Sequence, residues 1–430
     1  MSTVYTGGYV VTMDDAGSEY ANGWLLERDG LVAAVGDGKP PEADARSELN
    51  GALVTPGFVN THHHLYQSLT RARAQEAGLF TWLRELYPVW AGLDAEAEYA
   101  AARYGLAELM TSGCTTVFDH HYVFPRGAGD LIEAEMTAAQ ELGVRLIPSR
   151  GSMDLGESQG GLPPDSLVED VDEVLAETER LAAHYADLVV APCSPFSVTG
   201  RLMSESADLA RRLGLRLHTH LAETAEEEAY CLELYGCRPV EYLAELGWLE
   251  GDVWCAHCVH LSDDDIGALA AGAVGVAHCP SSNLRLGAGI ARVRELLDAG
   301  VPVGLGVDGS ASNERGDLSL EVKQALLLAR ARGGPAALTA REALRLATRG
   351  GAEVLGRDDF GSLEPGKSAD FAIWGDDWIF SGADDPVAAL VFGGPRAVSG
   401  LVVGGRHVLE NLPEDEIVSE HRKAAARFSK

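Results

Sequence analysis

Three consecutive histidines follow a short apolar run in "VTPGFVNTHHHLYQ", residues 54–67. Side chains alternate between the two faces of a strand, so His62 and His64 point the same way and His63 points the other way. Two imidazoles on one face, just past a strand, form an H-x-H pair that can bind a metal ion. The spacing therefore predicts that His62 and His64 are metal ligands.

More imidazoles and carboxylates stand at the ends of other apolar runs. In a barrel of parallel strands such ends meet at one face, where catalytic groups are found. Nitrogen and carboxylate ligands without thiolates favour zinc or iron over magnesium or calcium. The candidates after the second, fifth, sixth and eighth runs are His120, His121, His218, His220, Glu223, His257 and Asp308.

The elements that must position these residues alternate along the chain. Eight short apolar runs lie between residues 52 and 308, and helix-like segments such as "LVEDVDEVLAETERLAAHYA" separate most of them. Buried strands that alternate with helices are typical of α/β proteins with parallel βα units, and eight units close into a (β/α)8 barrel. A doubly wound open sheet is disfavoured because no G-x-G-x-x-G follows a strand.

The two chain ends have a different pattern. Residues 1–53 and 361–410 contain short strand-like pieces separated by glycine turns, which is typical of small antiparallel sheets. Because the barrel separates them along the chain, we expect the two ends to pair with each other. The predicted organisation is a small β-sandwich built from 1–56 plus 361–430, and a metal-dependent (β/α)8 TIM barrel over 57–360.

The net charge of the chain disfavours anionic partners. Acidic residues outnumber basic ones 65 to 34, which gives a formal charge of -31. Such a field repels phosphate backbones and anionic membranes. We therefore predict a small-molecule substrate, with neither nucleic acid nor a membrane as partner. Whether the chain forms a homo-oligomer stays open.

The cysteines and the start of the chain predict a cytoplasmic protein. Seven cysteines stand in a chain whose first residues, "MSTVYTGGYVVTMDD", lack the basic and apolar regions of a signal peptide. Reduced thiols are the simplest interpretation of this odd number. No stretch approaches the ~18 to 20 apolar residues that span a bilayer.

Five segments occur in the order and spacing of the amidohydrolase superfamily: "TPGFVNTHHHLYQ", "HTHLAET", "VWCAHCVHL", "VAHCPSSNLRLG" and "GVDGSASN". More narrowly, they resemble its cytosine/guanine-type deaminase branch. The segment "SRGSMDLGESQGGLPPDS" is similar to the 8-oxoguanine deaminases. The resemblance implies a heterocyclic substrate and a metal-dependent aminohydrolase, with 8-oxoguanine converted to urate and ammonia. The alternatives are deamination of isoxanthopterin or guanine, and hydroxytriazine hydrolysis.

The resemblance also implies roles for individual residues. The family's strand-five ligand falls on His220 rather than His218, because its H-x-x-E motif then ends at Glu223. His218 is expected to support a ligand instead. The implied metal ligands are His62, His64, His220 and Asp308, and the implied catalytic residues are Glu223, His257 and Asp308.

One metal ion per chain is expected. Relatives with two metals bridge them through a carbamylated lysine on the fourth strand, and no lysine lies near "LVVAPCSPF". We predict zinc, with iron as the alternative, to activate a water for attack on a ring carbon. Asp308 would accept the water's proton, His257 would polarise the water, and Glu223 would protonate the adjacent ring nitrogen.

Four further residues are predicted to contact the substrate. An amide can pair with a lactam edge, an indole can cover a flat ring, and an arginine can fork to a carbonyl. A cysteine stands where nucleoside-type relatives carry a substrate-contacting histidine, which favours a bare base. The predicted contacts are Gln67, Trp82, Arg150 and Cys193, the last as a pocket wall.

Overall fold

A computed structural model describes residues 1–375 and 379–429 of the chain. The strands are β1 Ser2–Val11, β2 Glu19–Arg28, β3 Leu31–Gly36, β4 Ala45–Glu48, β5 Leu53–Pro56, β6 Phe58–Asn60, β7 Cys114–Phe118, β8 Arg145–Ile147, β9 Ser149–Ser152, β10 Val189–Pro192, β11 Arg216–Leu221, β12 Val253–His257, β13 Gly275–His278, β14 Val303–Leu305, β15 Phe371–Trp374, β16 Gly400–Val403 and β17 Arg406–His407.

The helices that connect these strands are α1 Leu79–Trp90, α2 Ala95–Thr111, α3 Leu131–Leu142, α4 Val171–Ala182, α5 Gly200–Leu213, α6 Ala225–Leu234, α7 Pro239–Glu245, α8 Asp263–Ala271, α9 Pro280–Arg285, α10 Val293–Asp298, α11 Leu318–Gly333, α12 Ala340–Leu346, α13 Arg349–Val354, α14 Pro386–Gly393 and α15 Glu414–Ala426. Two 3-10 helices span Leu65–Thr70 and Glu157–Gln159.

The middle of the chain forms a closed barrel. Among the described residues, nine parallel strands pair in the order β8-β7-β6-β14-β13-β12-β11-β10-β9. The first and last of this order, β8 and β9, are consecutive in the chain and are separated only by Pro148, which has no N–H for a sheet hydrogen bond. They are two halves of one strand, so the sheet closes as the predicted eight-stranded barrel.

Helices cover the outside of the barrel, and α4 shows why they form. The Asp170 side chain accepts hydrogen bonds from the first-turn N–H groups of Asp172 and Glu173, which caps the helix. Val174 and Leu181 are buried on one face of α4. This is the face that the helical spacing of apolar residues predicts.

The two chain ends form the second sheet together. Its order is β17-β16-β15-β5-β1-β2-β3, with β4 beside β1. The two ends meet in the antiparallel pair β5–β15, where Phe371 lies opposite Pro56. This pairing confirms the expected association of the ends. The other strand pairs of this sheet are antiparallel, as expected, except that β4 and β5 both pair with β1 in parallel.

The chain enters the barrel at Gly57, between β5 and β6. A Cβ at this position would lie 2.2 Å from Thr115 Oγ1, so glycine lets the first barrel strand approach β7. The predicted domain boundaries, 1–56 plus 361–430 and 57–360, stay a prediction, and residues 376–378 and 430 lie outside the described residues. Across the described ranges, no helix has the length and apolar character required to cross a bilayer.

Candidate metal and active site

Imidazoles and a carboxylate from three strand ends converge at the barrel mouth. His62 and His64 follow β6, His220 lies in β11, and Asp308 follows β14. Asp308 Oδ1 lies 3.4 Å from His62 Nε2 and 3.3 Å from His64 Nε2. The Nε2 atoms of His64 and His220 are 3.1 Å apart. The structure therefore brings together all four side chains for which a ligand role is expected, and all four are buried.

Hydrogen bonds determine which nitrogen of His62 faces this group. His218 Nδ1 lies 3.0 Å from the Trp254 carbonyl oxygen, which can only accept, so the lone pair of His218 is on Nε2. His62 Nδ1 donates to that Nε2 at 2.9 Å. The lone pair of His62 is therefore on Nε2, a buried atom without a hydrogen-bond partner among the described residues.

The other two imidazoles are oriented in the same manner. His64 Nδ1 donates to the His120 carbonyl oxygen and His220 Nδ1 donates to the Cys193 carbonyl oxygen, both at 2.6 Å. Burial lowers the pKa of His62, His64 and His220, so these rings are neutral. Three neutral imidazoles that present Nε2 lone pairs beside one carboxylate fit a zinc or iron ion.

Replacing His218 by alanine is expected to lower zinc affinity by about 10- to 100-fold, because His62 then loses the acceptor that orients its ring. Competition with a chelator of known affinity measures the change. His184→Ala, which removes an exposed histidine near the end of α4, is the control and should leave affinity unchanged. Equal zinc affinity in His218→Ala and the parent protein would contradict the orienting role.

Donors hold Asp308 as a carboxylate. Oδ2 accepts hydrogen bonds from Ser282 Oγ at 2.6 Å and Ser312 Oγ at 3.1 Å, and Oδ1 accepts from the Gly309 N–H at 2.7 Å. Burial acts to raise the pKa of Asp308, but the surrounding imidazoles of His62, His257 and His64 outweigh burial and hold that pKa well below its usual range. Asp308 is therefore ionised and fixed in orientation.

Glu223 and His257 lie beside the ligand group. His257 Nε2 is 3.6 Å from Glu223 Oε2 and 4.0 Å from Asp308 Oδ2. His257 Nδ1 donates to Asn283 Oδ1 at 2.9 Å, so its Nε2 lone pair faces the two carboxyl groups. Burial, followed by the charge of Asp308, raises the pKa of Glu223 well above its usual range. Glu223 thus keeps a proton to higher pH than an exposed glutamate does.

Backbone strain marks the same strand ends. Ala222, His257 and Asp308 have φ values of 49°, 71° and 64°, in the left-handed region that residues other than glycine rarely adopt. Such conformations cost on the order of 1 to 3 kcal/mol each and cluster at active sites. The strain supports a functional role for these strand ends.

A cavity opens above the ligand group. The walls are largely aromatic and aliphatic, and Gln67, Trp82 and Cys193 are part of them. Trp82 Nε1 donates to the Ala311 carbonyl oxygen at 3.2 Å, which fixes the indole. Walls of this composition suit a flat heterocyclic ring.

Arg150 does not reach this cavity, which corrects the prediction that it forks to a substrate carbonyl. Its Nη2 binds Glu169 Oε1 at 2.6 Å, and its guanidinium lies 3.8 Å from the centre of the Phe124 ring. Arg150 lines a separate cavity beside α3 and α4 instead. Pro148 interrupts the strand between β8 and β9. The alternation of side chains along β8 therefore does not determine on which face of the sheet residue 150 lies.

His120, one of the candidates at the strand ends, lies beside the ligand group. A ring nitrogen of His120 lies within 4.8 Å of those of His62, His64 and His220. The His120 ring stacks on His220 with centroids 4.7 Å apart. Sequence reasoning did not predict the serine and asparagine side chains that orient the catalytic groups. They lie within the segments "CPSSN" and "GSASN", quoted above, so the sequence pattern could have indicated them. These residues are Ser282, Asn283 and Ser312.

His121 points away from the ligand group, into a cluster of buried acids. Its Nδ1 lies 3.7 Å from Glu98 Oε2. Burial raises the pKa of Glu98, Glu135 and Asp119. Asp119 Oδ1 also accepts the Leu65 N–H at 2.7 Å, so the cluster braces the segment after the H-x-H pair.

A barrel whose mouth gathers imidazole lone pairs, one carboxylate and a proton-holding acid belongs to the class of metal-dependent hydrolases. Comparison with family models is more specific, because the amidohydrolase family matches residues 53–408. This chain belongs to the amidohydrolase family. It is a metal-dependent hydrolase that acts on C–N bonds.

Relatives are similar over nearly the whole chain. The 8-oxoguanine deaminase of Pseudomonas aeruginosa is 45% identical over 428 residues and covers 95% of both chains. An isoxanthopterin deaminase from an unknown prokaryotic organism is 39% identical and covers 90% of this chain and 87% of its own. The solved atrazine chlorohydrolase from Arthrobacter aurescens TC1, complexed with zinc, has a TM-score of 0.92 at 34% identity and covers 98% of this chain and 100% of its own. Together with the buried histidine and aspartate group, that zinc supports a single metal ion here.

Proposed function

We propose that this enzyme removes the exocyclic amine of a purine-like base, and that the base is 8-oxoguanine, which gives urate and ammonia. The observation that carries the reaction type is the placement of Glu223 beside His257, 3.6 Å apart, in the wall of a cavity lined largely by aromatic and aliphatic side chains. A glutamate that keeps its proton at this place can protonate a ring nitrogen. The 45% identity to an 8-oxoguanine deaminase supports the choice of base.

One zinc, with iron as the alternative, would be held by His62, His64, His220 and Asp308. The Nε2 lone pairs and the ionised carboxylate described above support this ligand set. When bound, such an ion lowers the pKa of its water from about 16 towards 7, so that a nucleophile is available at neutral pH.

The chain's own residues then direct the protons. Asp308 accepts a proton from the attacking water, and His257, held by Asn283, orients that water towards C2 of the base. Glu223 donates its proton to the ring nitrogen next to C2 and afterwards carries a proton to the departing amine. Water supplies the oxygen and ammonia leaves, so 8-oxoguanine and water become urate and ammonia.

The cavity wall would select a flat, sugar-free base. Trp82 would cover the ring with its indole face, and Gln67 would read an edge through its amide. Gln67 Oε1 is buried and has no hydrogen-bond partner among the described residues, so it is available to a substrate N–H. Burial raises the pKa of Cys193 to about 12, so this residue acts as a neutral wall and not as a nucleophile.

The test is a comparison of kcat/KM for 8-oxoguanine, guanine, isoxanthopterin, cytosine and hydroxyatrazine, measured by ammonia release. 8-Oxoguanine carries N–H groups at both nitrogens of its five-membered ring, whereas guanine carries one. If Gln67 Oε1 accepts the additional N–H of 8-oxoguanine, guanine leaves this buried acceptor without a donor. Such a loss costs about 1 to 3 kcal/mol, so we expect kcat/KM to be at least ~10-fold higher for 8-oxoguanine than for guanine. An equal or higher kcat/KM for guanine or isoxanthopterin would contradict the proposed substrate.

We further propose that the enzyme works in the cytoplasm on a free heterocyclic base. All seven cysteines are free thiols in the described structure, which suits a reducing compartment. The formal charge of -31 disfavours nucleic acid as the substrate.

A further inference from the structure

The turn that carries Glu223 joins β11 to α6 and has an unusual backbone. Ala222, directly before Glu223, has φ of 49°, which an alanine adopts only at a cost in free energy. A strained turn relaxes unless its surroundings hold it. The contacts of the Ala222 and Glu223 backbone therefore show what keeps the Glu223 carboxyl group in place.

One side of the turn is held by the side chain of Glu227. Its Oε1 accepts the Ala222 N–H at 2.8 Å and its Oε2 accepts the Glu223 N–H at 2.8 Å. Glu227 is fully buried, and it is the third residue of α6, a helix that Thr224 caps. A carboxylate on a rigid helix thus holds both consecutive N–H groups of the turn.

The other side of the turn is held by the segment after β12. The Ala222 carbonyl oxygen accepts the N–H groups of Val259 and His260, both at 2.9 Å. The same segment begins at His257, which lies 3.6 Å from the Glu223 carboxyl group. Hydrogen bonds therefore fix the turn to the end of β12, which carries His257. Glu227 holds the turn from the opposite side.

We propose that Glu227 is a positioning residue that holds the general acid Glu223 against the reacting base. This inference rests on the proposed role of Glu223. Glu227 lines no part of the cavity among the described residues, so it acts through the two backbone N–H groups and not through the substrate. Both carboxylate oxygens are needed, because each one accepts a different N–H.

Glu227→Gln preserves the shape of the side chain and replaces one acceptor by an NH2 group, which faces a backbone N–H. A catalytic group displaced by about 1 Å can lose about 100-fold in rate, so we expect kcat to fall by ~10- to 100-fold. KM should change by less than about threefold and metal content should stay the same, since no cavity wall or ligand is altered. Glu226→Gln, at the exposed neighbouring position, is the matched control.

A double-mutant cycle separates positioning from general destabilisation. If Glu227 acts only through Glu223, then adding Glu227→Gln to Glu223→Gln should lower kcat by less than about twofold further. Multiplied losses in the double variant would overturn the proposal. Glu227→Asp, which keeps the charge but is one methylene shorter, repeats the cycle should the glutamine variant not fold.

Hydrogen exchange measures the hydrogen bonds between Glu227 and the two backbone amides without any substrate. The amides of Ala222 and Glu223 should exchange about tenfold faster in Glu227→Gln than in the parent protein, and Glu226→Gln should leave them unchanged. Unchanged exchange in Glu227→Gln would overturn the proposal whatever the substrate is. Faster exchange in Glu227→Gln without a loss of kcat would also overturn the proposal. Failure of the proposed function is a different result, because the parent enzyme itself would then release no ammonia from 8-oxoguanine.

Discussion

Glu223→Gln is expected to lower kcat by about 10²- to 10⁴-fold, the usual contribution of a general acid–base group. The glutamine keeps the shape of the side chain and its place beside His257, but it has no proton to give to the ring nitrogen. Burial and the charge of Asp308, which raise the pKa of Glu223, are the reason that this residue holds the proton in the parent enzyme. The measurement is steady-state ammonia release from 8-oxoguanine.

Two controls make this result specific. Glu233→Gln removes an exposed glutamate from α6, the helix that follows the Glu223 turn, and should leave kcat unchanged. Elemental analysis of Glu223→Gln should give the metal content of the parent protein, because Glu223 is not among the proposed ligands. A loss of less than about fivefold would mean that another group carries the proton.

Local rules were sufficient for the parts of the site that lie on one strand. The alternation of side chains in a strand placed His62 and His64 on one side, and the H-x-x-E spacing favoured His220 over His218. In the structure His218 Nε2 contacts His62 Nδ1, on the side away from Asp308, and His220 Nε2 lies 3.1 Å from His64 Nε2. Strand ends gather at one face of a parallel barrel, so the approach of Asp308 to these histidines followed from topology alone.

Contacts between distant segments could not be predicted in this way. Arg150 takes its partner from Glu169, and nothing in the local sequence indicates that pair. Glu227 holds the Glu223 turn through hydrogen bonds that depend on a strained conformation at Ala222. Secondary-structure propensities do not predict a left-handed backbone conformation at an alanine. The parallel pairing of β4 and β5 with β1 likewise depends on long-range packing.

Removal of the metal is expected to have an even larger effect, a loss of turnover of at least about 10⁴-fold. The reason is that the water pKa returns from about 7 towards 16, and no side chain that lines the site among the described residues supplies a nucleophile in its place. Cys193, the thiol in the cavity wall, stays protonated because burial raises its pKa to about 12. Dialysis against a chelator prepares the metal-free enzyme, and its thermal unfolding should remain cooperative.

Titration of the metal-free enzyme with zinc, followed by urate formation from 8-oxoguanine, tests the central claim most directly. One ion held by His62, His64, His220 and Asp308 predicts that activity rises linearly and reaches its plateau at one zinc per chain. His220→Ala should show no such rise at the same zinc concentrations. Turnover by the metal-free enzyme, or a plateau reached only at two zinc ions per chain, would contradict a mononuclear metal-dependent deaminase.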